Sequence, residues 1–356
     1  MKKEHILIIR FSALGDVAMT VPVVSSLAQQ YPDLRITVLS RKFARPLFEN
    51  LAPNVGFMEA DLQTEYHGVK GLNTLFRRLT AKHFTAVADF HNVLRSEYLR
   101  LRFNMGRYKV AHINKHRHGK RQLVKSSGKV LEQQPTVFQN YADVLAQLGY
   151  PIKLTFQSFF QGGKGNLEEL PPHIRELVSG GRLIGLAPFA AHKGKIYPLP
   201  LMEQVIEQLT ERRPDCRIFL FGGGDREFKV FAQWQQRYPQ CVNASAELSG
   251  LRQELVLMSH LDVMLTMDSG NMHLASLAGT SVVSLWGATH PYAGFMGYGQ
   301  TADSIVQLDL PCRPCSIYGN KPCLRGDYAC LHNISPDMVV QRIEAVLNNR
   351  RIAESN

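Results

Sequence analysis

The residues with the clearest chemical reading lie between Leu261 and Pro291. Leu261 to Met267 is an apolar run of strand length, too short for a helix. Asp268-Ser269-Gly270 closes it, and His273, Leu274, Leu277 and Ala278 then recur at helical spacing until Gly279. Val282 to Leu285 reads as the next buried strand, ending at Trp286-Gly287. A strand–turn–helix–strand unit is the building block of a parallel sheet. At its helix start the N–H groups of Ser269 and Gly270 lack intrahelical partners, and the helix dipole favours negative charge there, so the turn suits a phosphate. Asp268 itself repels an anion, and the plain reading of it is a helix cap. His273 lies one turn into the helix and can face the same anion, or simply pack.

Three further turns hold reactive side chains. Arg182 to Pro188 reads as a strand running into His192-Lys193-Gly194-Lys195-Ile196-Tyr197-Pro198, which supplies two cations. Arg217 to Phe221 is a strand ending in Gly222-Gly223-Gly224-Asp225, where backbone can approach a ligand and Asp225 can accept from ribose hydroxyls. Near the N-terminus the strand His5 to Phe11 leads through Ser12-Ala13-Leu14-Gly15 to Asp16. An acid at a helix start is favoured electrostatically whatever its chemistry. A turn at the carboxyl end of a strand is also where open α/β sheets bind ligands.

Three of these segments, R-F-S-A-L-G-D-V-x-x-T-x-P, K-I-Y-P and D-S-G-x-x-H-x-A-S-x-A-G-T with the following S-L-W-G-A-T-H-P, resemble motif regions of the ADP-heptose:lipopolysaccharide heptosyltransferase family (glycosyltransferase family 9), in its order. The resemblance spans about residues 5–335. It implies the GT-B architecture, two facing Rossmann-like domains with a cleft between them. It implies an inverting, metal-independent transfer of a sugar, heptose from ADP-heptose, to a lipopolysaccharide core or related phosphorylated glycolipid. Asp16 would be the general base on the acceptor hydroxyl. Lys195, Asp225, Asp268, Ser269, Gly270 and His273 would bind the donor, with Lys193 able to replace Lys195. Where Tyr197 stands, the family more often has Trp. Should Asp16 not be the base, Asp89 and His91 on a neighbouring strand come next.

The elements around these turns alternate strand and helix in both halves, an α/β pattern of doubly wound units. Arg35 to Ser40, Thr85 to Phe90 and Val110 to His112 read as further strands of the first half. Val17, Val21, Val24 and Leu27 form a helical stripe, as do Val137 to Leu148. Pro151 to Pro172 is turn-rich and reads as the crossing. The expected division is an acceptor domain over 1–165, a nucleotide-sugar domain over 166–334, and a C-terminal helix and tail over 335–356.

Charge points to an acidic partner: the net charge is +11 and the pI near 9.4. Much of it sits in Asn92 to Leu131, which holds eleven Lys or Arg and three His against the single acid Glu97. Solvated surfaces usually mix signs. This segment therefore reads as a docking surface for a phosphorylated acceptor at an anionic membrane, with Arg95, Arg100, Lys120 and Arg121 as candidate contacts. Its early part is an amphipathic helix and its later part, His112 to Lys129, a mobile loop. No run of eighteen apolar residues exists, and the N-terminus has no small-residue cleavage site, so the expected location is the cytoplasm, peripheral at the inner face of the membrane.

Cys312, Cys315, Cys323 and Cys330, spaced C-x2-C-x7-C-x6-C, make a structural zinc a candidate, with reduced free thiols the competing reading. No cofactor is expected for catalysis. Two other functions fit parts of the sequence. A basic nucleic-acid-binding protein with a four-cysteine zinc module would use the charged segment, but that segment has few aromatic residues and no nucleic-acid motif, so no nucleic acid is expected. A nucleotide-sugar epimerase of the same fold would turn over donor with no acceptor present.

Overall fold

The computed structural model describes residues 4–355, with side chains through residue 349. The chain divides into two compact units, Met1–Lys115 with Pro135–Gln157, and His116–Gln134 with Ser158–Asn356.

The first unit is built on a five-stranded sheet: β1 (His5–Ile9), β2 (Arg35–Ser40), β3 (Val55–Glu59), β4 (Ala86–Asp89) and β5 (Lys109–His112). All pairings are parallel and the order is β3-β2-β1-β4-β5. Ile6, Leu7, Ile8 and Ile9 are fully buried because helices cover both faces, which is why β1 is apolar without alternation. The helical stripe after Asp16 is two helices, Leu14–Ala18 and Val21–Gln30. Pro22 sits in the first turn of the second, where its missing N–H costs little, and so marks a new start rather than a continuation. The strand Val55–Glu59 has no clean apolar pattern, since most of it remains partly exposed at the sheet edge.

The second unit holds six parallel strands: β6 (Leu183–Ala187), β7 (Arg217–Leu220), β8 (Cys241–Val242), β9 (Val263–Met267), β10 (Val282–Leu285) and β11 (Ile305–Val306). Their order is β11-β10-β9-β6-β7-β8. One core packs Ile184, Val205, Ile206, Phe231 and Val283 with Val339, Ile343 and Leu347 of the last helix, Pro336–Ser355. That helix is therefore part of the second unit; an Arg213–Glu344 ion pair and the Tyr197 hydroxyl donating to the Ile334 carbonyl at 2.8 Å tie it down. Residue 356 lies outside the described residues.

The boundaries differ from expectation at two further places: the first unit ends at Gln157 instead of residue 165, and one internal segment changes unit. His112 to Lys129, expected as a mobile loop of the first domain, instead contains the helix Arg117–Leu123, and residues 116–134 group with the second unit. Lys120 is buried with its ammonium 4.2 Å from the centre of the Phe295 ring. Gln134 N–H donates to the Tyr292 carbonyl at 2.8 Å, and Lys129 Nζ to the Pro314 carbonyl at 3.0 Å. A long stem over an aromatic face and a cation on free carbonyls are partners that a local charge pattern does not reveal. Among the described residues no helix is long and apolar enough to cross a membrane.

Candidate functional site

In each sheet the chain fills one side and then reverses, between β1 and β4 in the first unit and between β6 and β9 in the second. The carboxyl ends of those strands flank the crevice where doubly wound sheets bind ligands. The residues singled out by sequence follow these strands and β7.

In the first unit the β1 turn is organised by Arg10. Its side chain is 8% exposed; Nη2 lies 2.8 Å from Asp16 Oδ2, and Nη1 donates to the Phe90 carbonyl at 2.8 Å. Ala13 N–H donates to the same Asp16 oxygen at 3.2 Å, and the Tyr141 hydroxyl donates to the Asp16 carbonyl at 3.3 Å. Both of these contacts to the carboxylate fall on Oδ2. The Asp16 side chain is 33% exposed. The other two base candidates are differently placed. Asp89 is fully buried, accepts the N–H groups of His91 and Asn92 on Oδ1, and faces Arg100 at 3.3 Å on Oδ2. His91 accepts Phe11 N–H on Nδ1 at 3.4 Å; burial and the nearby Arg10 and Lys115 charges pull its pKa to about 3, so it is neutral near pH 7.

The four basic acceptor candidates separate in the same way. Arg95 and Arg121 are exposed, Arg121 in the second unit. Arg100 spends its fork on Asp89, Asn92 Oδ1 and Glu97, and Lys120 is buried against Phe295. Arg102, which the sequence does not distinguish from the charge around it, lies over the Phe76 ring and bonds Asn73. Arg100 and Arg102 are therefore held by the first unit's own packing, whereas Arg95 on the same helix is not.

In the second unit Lys195 and Asp268, on turns from adjacent strands, form an ion pair with Nζ 3.0 Å from Oδ2, their side chains 16% and 6% exposed. Ser269 and Gly270 begin the helix Gly270–Leu277, and no side chain caps it. The Ser269 hydroxyl lies 3.2 Å from the Thr266 hydroxyl, and His273 is buried one turn further on. The Lys195 loop is held by the following strand's turn: Ala288 N–H donates to the Gly194 carbonyl at 2.9 Å. A Cβ on Gly287 would stand 2.7 Å from that carbonyl, and one on Gly319 would stand 2.4 Å from Lys195 Cγ. These glycines are needed for close approach, a role that only the packed structure reveals.

Beside this loop is a cavity of about 680 Å³ whose lining includes Phe189, Lys193, Tyr197, Gly223, Asp225 and Tyr328. Asp225 opens the helix Asp225–Arg237 after Gly224, whose φ of +89° is costly for other residues. Lys193 lies 5.0 Å over the Tyr328 ring. The two lysines thus face different surroundings, Lys193 toward the cavity and Lys195 toward Asp268. Tyr197 is fully buried, its ring spent on the core as well as the cavity floor.

The four C-terminal cysteines are free thiols, Cys330 buried and the others half-buried. Burial raises the Cys330 thiol to about 11 and Cys315 in the same direction. Among the described residues no group of three or more His, Cys, Asp or Glu is arranged to hold a metal ion.

Comparison with known proteins places this geometry. Lipooligosaccharide heptosyltransferase 2 of Campylobacter jejuni is 21% identical over 339 residues, covering 93% of this chain and 95% of that protein. Lipopolysaccharide core heptosyltransferase OpsX of Haemophilus influenzae is 23% identical over 289 residues, 81% of this chain and 80% of that one. Among solved structures, a glycosyl transferase family 9 protein of Veillonella parvula superposes with a TM-score of 0.72 at 17% identity, covering 98% of each chain. The E. coli heptosyltransferase WaaC with ADP superposes with a TM-score of 0.67 at 17% identity, over 96% of this chain and 99% of that one. These likenesses show the fold, the GT-B fold of the heptosyltransferases. The sequence model for "Glycosyltransferase family 9 (heptosyltransferase)" matches residues 72–322, well over half the chain and across both units. The protein is therefore a glycosyltransferase and belongs to glycosyltransferase family 9, the heptosyltransferases.

Proposed function

We propose that the protein transfers a heptose from ADP-heptose, with inversion and without a metal ion, to a phosphorylated glycolipid of the lipopolysaccharide core type. The observation that carries this is the pairing of Lys195 with Asp268 beside the uncapped helix start at Ser269–Gly270, on the switch point of the second sheet. An ammonium and a row of free N–H groups suit a nucleoside diphosphate, and the adjoining cavity has room for its nucleoside. Asp225 at the cavity wall is suited to ribose hydroxyls. Asp268 holds the Lys195 ammonium beside the helix start until a more negative diphosphate competes for it.

The chemistry follows from these groups. Asp16 Oδ1 takes the proton of the acceptor hydroxyl while Arg10 fixes the other oxygen. The acceptor oxygen attacks the anomeric carbon from the face opposite the diphosphate, and the bond from that carbon to the diphosphate oxygen breaks. The charge that develops on the leaving diphosphate meets Lys195, the helix start and His273, cationic and dipolar groups that do the work a divalent ion does elsewhere. Arg95 and Arg121, the exposed members of the basic set, supply charge for the acceptor's phosphates. The enzyme works at the inner face of the membrane, where that acceptor is exposed to the cytoplasm.

The test is transfer itself, read by product NMR with ADP-heptose and a core acceptor. An axial-to-equatorial or reverse change at the anomeric centre is expected. Retention, or turnover of the donor with no acceptor present, would replace this reading, the second outcome in favour of an epimerase. A thermal-shift series with ADP comes first: a ligand at a hundredfold over its Kd stabilises by about 2.7 kcal/mol.

A further inference from the structure

The helix Leu94–Met105 buries Ser96, Leu99 and Phe103 on one side. On the other, Leu94, Leu101 and Met105 stand 84%, 57% and 73% exposed. At the helical repeat of 3.6 residues these three fall within about 40° of one another, a single line some 16 Å long. Its neighbour on the same side of the sheet, Gly68–Thr80, adds Val69 at 62%. Isolated exposed leucines need no explanation, but apolar residues aligned along one outward stripe do. The charge around the stripe is mostly of one sign, with Glu97 and, beside Arg78, Glu65 as its acids. Of the cations on the two helices, Lys70, Arg77, Arg78 and Arg95 are exposed, while Arg100 and Arg102 are engaged in the unit's own packing; the single acid of the two helices, Glu97, is paired with Arg100. Arg107 and Lys109 follow directly and are exposed.

From this we infer that the outward face of Leu94–Met105 is the surface by which the first unit lies on an anionic lipid bilayer, with Leu94, Leu101 and Met105 entering the acyl boundary and the flanking cations meeting the headgroups. An apolar stripe bordered by Lys and Arg with almost no acid is the composition that lies in a membrane interface. An acidic protein partner would use the cations equally well but gives no account of a line of apolar tips pointing outward. The stripe begins three residues after His91, so the helix leads from the crevice that holds Asp16 out along the bilayer. The inference deepens the proposed function, in that the bilayer is also where a glycolipid acceptor resides, but its test needs neither donor nor acceptor.

Co-sedimentation of the full chain with vesicles of phosphatidylcholine, with and without phosphatidylglycerol, reads the surface directly. Binding only to the anionic vesicles, weakening with salt, is expected. Combined substitution Leu94→Ser, Leu101→Ser and Met105→Ser should reduce the bound fraction at least tenfold at unchanged melting temperature, since these side chains are solvent-exposed. Lys70→Gln with Arg77→Gln should weaken binding and flatten its salt dependence. A Leu101→Trp variant, which needs no loss of stability to be informative, should be quenched by brominated acyl chains. Transfer to a deacylated, water-soluble acceptor should be the same in the Ser variant and the parent, so failure of the lipid surface and failure of the transferase reading give different results. Absence of binding to anionic vesicles, binding unaltered by the Ser substitutions, or an unquenched Trp would each overturn the inference; the first would leave an acidic protein as the partner.

Discussion

Replacing Asp16 with Asn separates catalysis from structure only if Arg10 is changed as well. From sequence alone Asp16→Asn is expected to remove a proton acceptor and leave folding nearly untouched. The structure alters the second half of that expectation. Arg10 is 8% exposed and its Nη2 sits 2.8 Å from the Asp16 carboxylate, so the Asn variant strands a buried guanidinium without its counter-charge. Breaking a fully buried pair costs about 3–5 kcal/mol and a charged hydrogen bond contributes about 1.5–3 kcal/mol. Because Asp16 is one-third exposed, water can replace part of it, and a loss of about 2 kcal/mol is expected. Loss of the base should slow transfer by about 10²- to 10⁴-fold, roughly 3–5 kcal/mol of barrier. The assay is a double-mutant cycle, with Asp16→Asn, Arg10→Met and both together, each read by chemical denaturation and by single-turnover transfer. The double variant should recover about 1–2 kcal/mol of stability relative to additive losses while transfer stays as low as in Asp16→Asn. Near-normal transfer in Asp16→Asn would remove Asp16 as the base. Strictly additive stability losses would refute the ion-pair reasoning.

Lys195→Met should weaken ADP binding by about tenfold or more and also lower stability, because Asp268 is left 6% exposed without its cation; Lys195→Met with Asp268→Asn should restore stability but not affinity, as calorimetry and melts will show. Gly287→Ala should lower donor affinity through the displaced Lys193–Lys195 loop, since its Cβ would meet the Gly194 carbonyl at 2.7 Å; unchanged affinity would mean the loop tolerates the shift. Transfer should survive EDTA with the fold intact by circular dichroism, and loss of activity restored by Mg²⁺ would contradict metal-independent departure of the diphosphate. The buried histidines predict an acid limb. Burial lowers His91 to about 3 and His5 and His290 to about 4 from an ordinary 6.5, so the unfolded chain takes up protons first. Their stability contribution is complete above pH 6.5 and lost as pH falls toward 4 and then 3; a melting temperature flat across that window would count against it.

By itself the sequence determined the α/β class and the family, and it located the turns that follow β1, β6, β7 and β9. Parallel strands buried on both faces are runs such as Ile6 to Ile9 and Val282 to Leu285, and a turn followed by helical spacing, as at Asp268 to Ala278, is a local signal. Edge strands were less legible: Val55–Glu59 and Ile305–Val306 are short or half-exposed, so their apolar pattern is weak. What each charge does was decided only in three dimensions. Arg10, Arg100, Lys120 and Arg95 look alike in a one-dimensional count, yet the first binds Asp16, the second a buried Asp89, the third lies on Phe295, and the fourth is exposed. Lys195 and Asp268 are far apart along the chain and meet only because β6 and β9 are neighbours at the switch point. Residues 116–134 carry a polar local pattern, and their place in the second unit comes from Phe295, Tyr292 and Pro314, partners far away in sequence. Periodicity along a chain reports which face of an element is apolar; which opposite charge or ring that face will meet depends on strand order, and strand order is a property of the folded sheet.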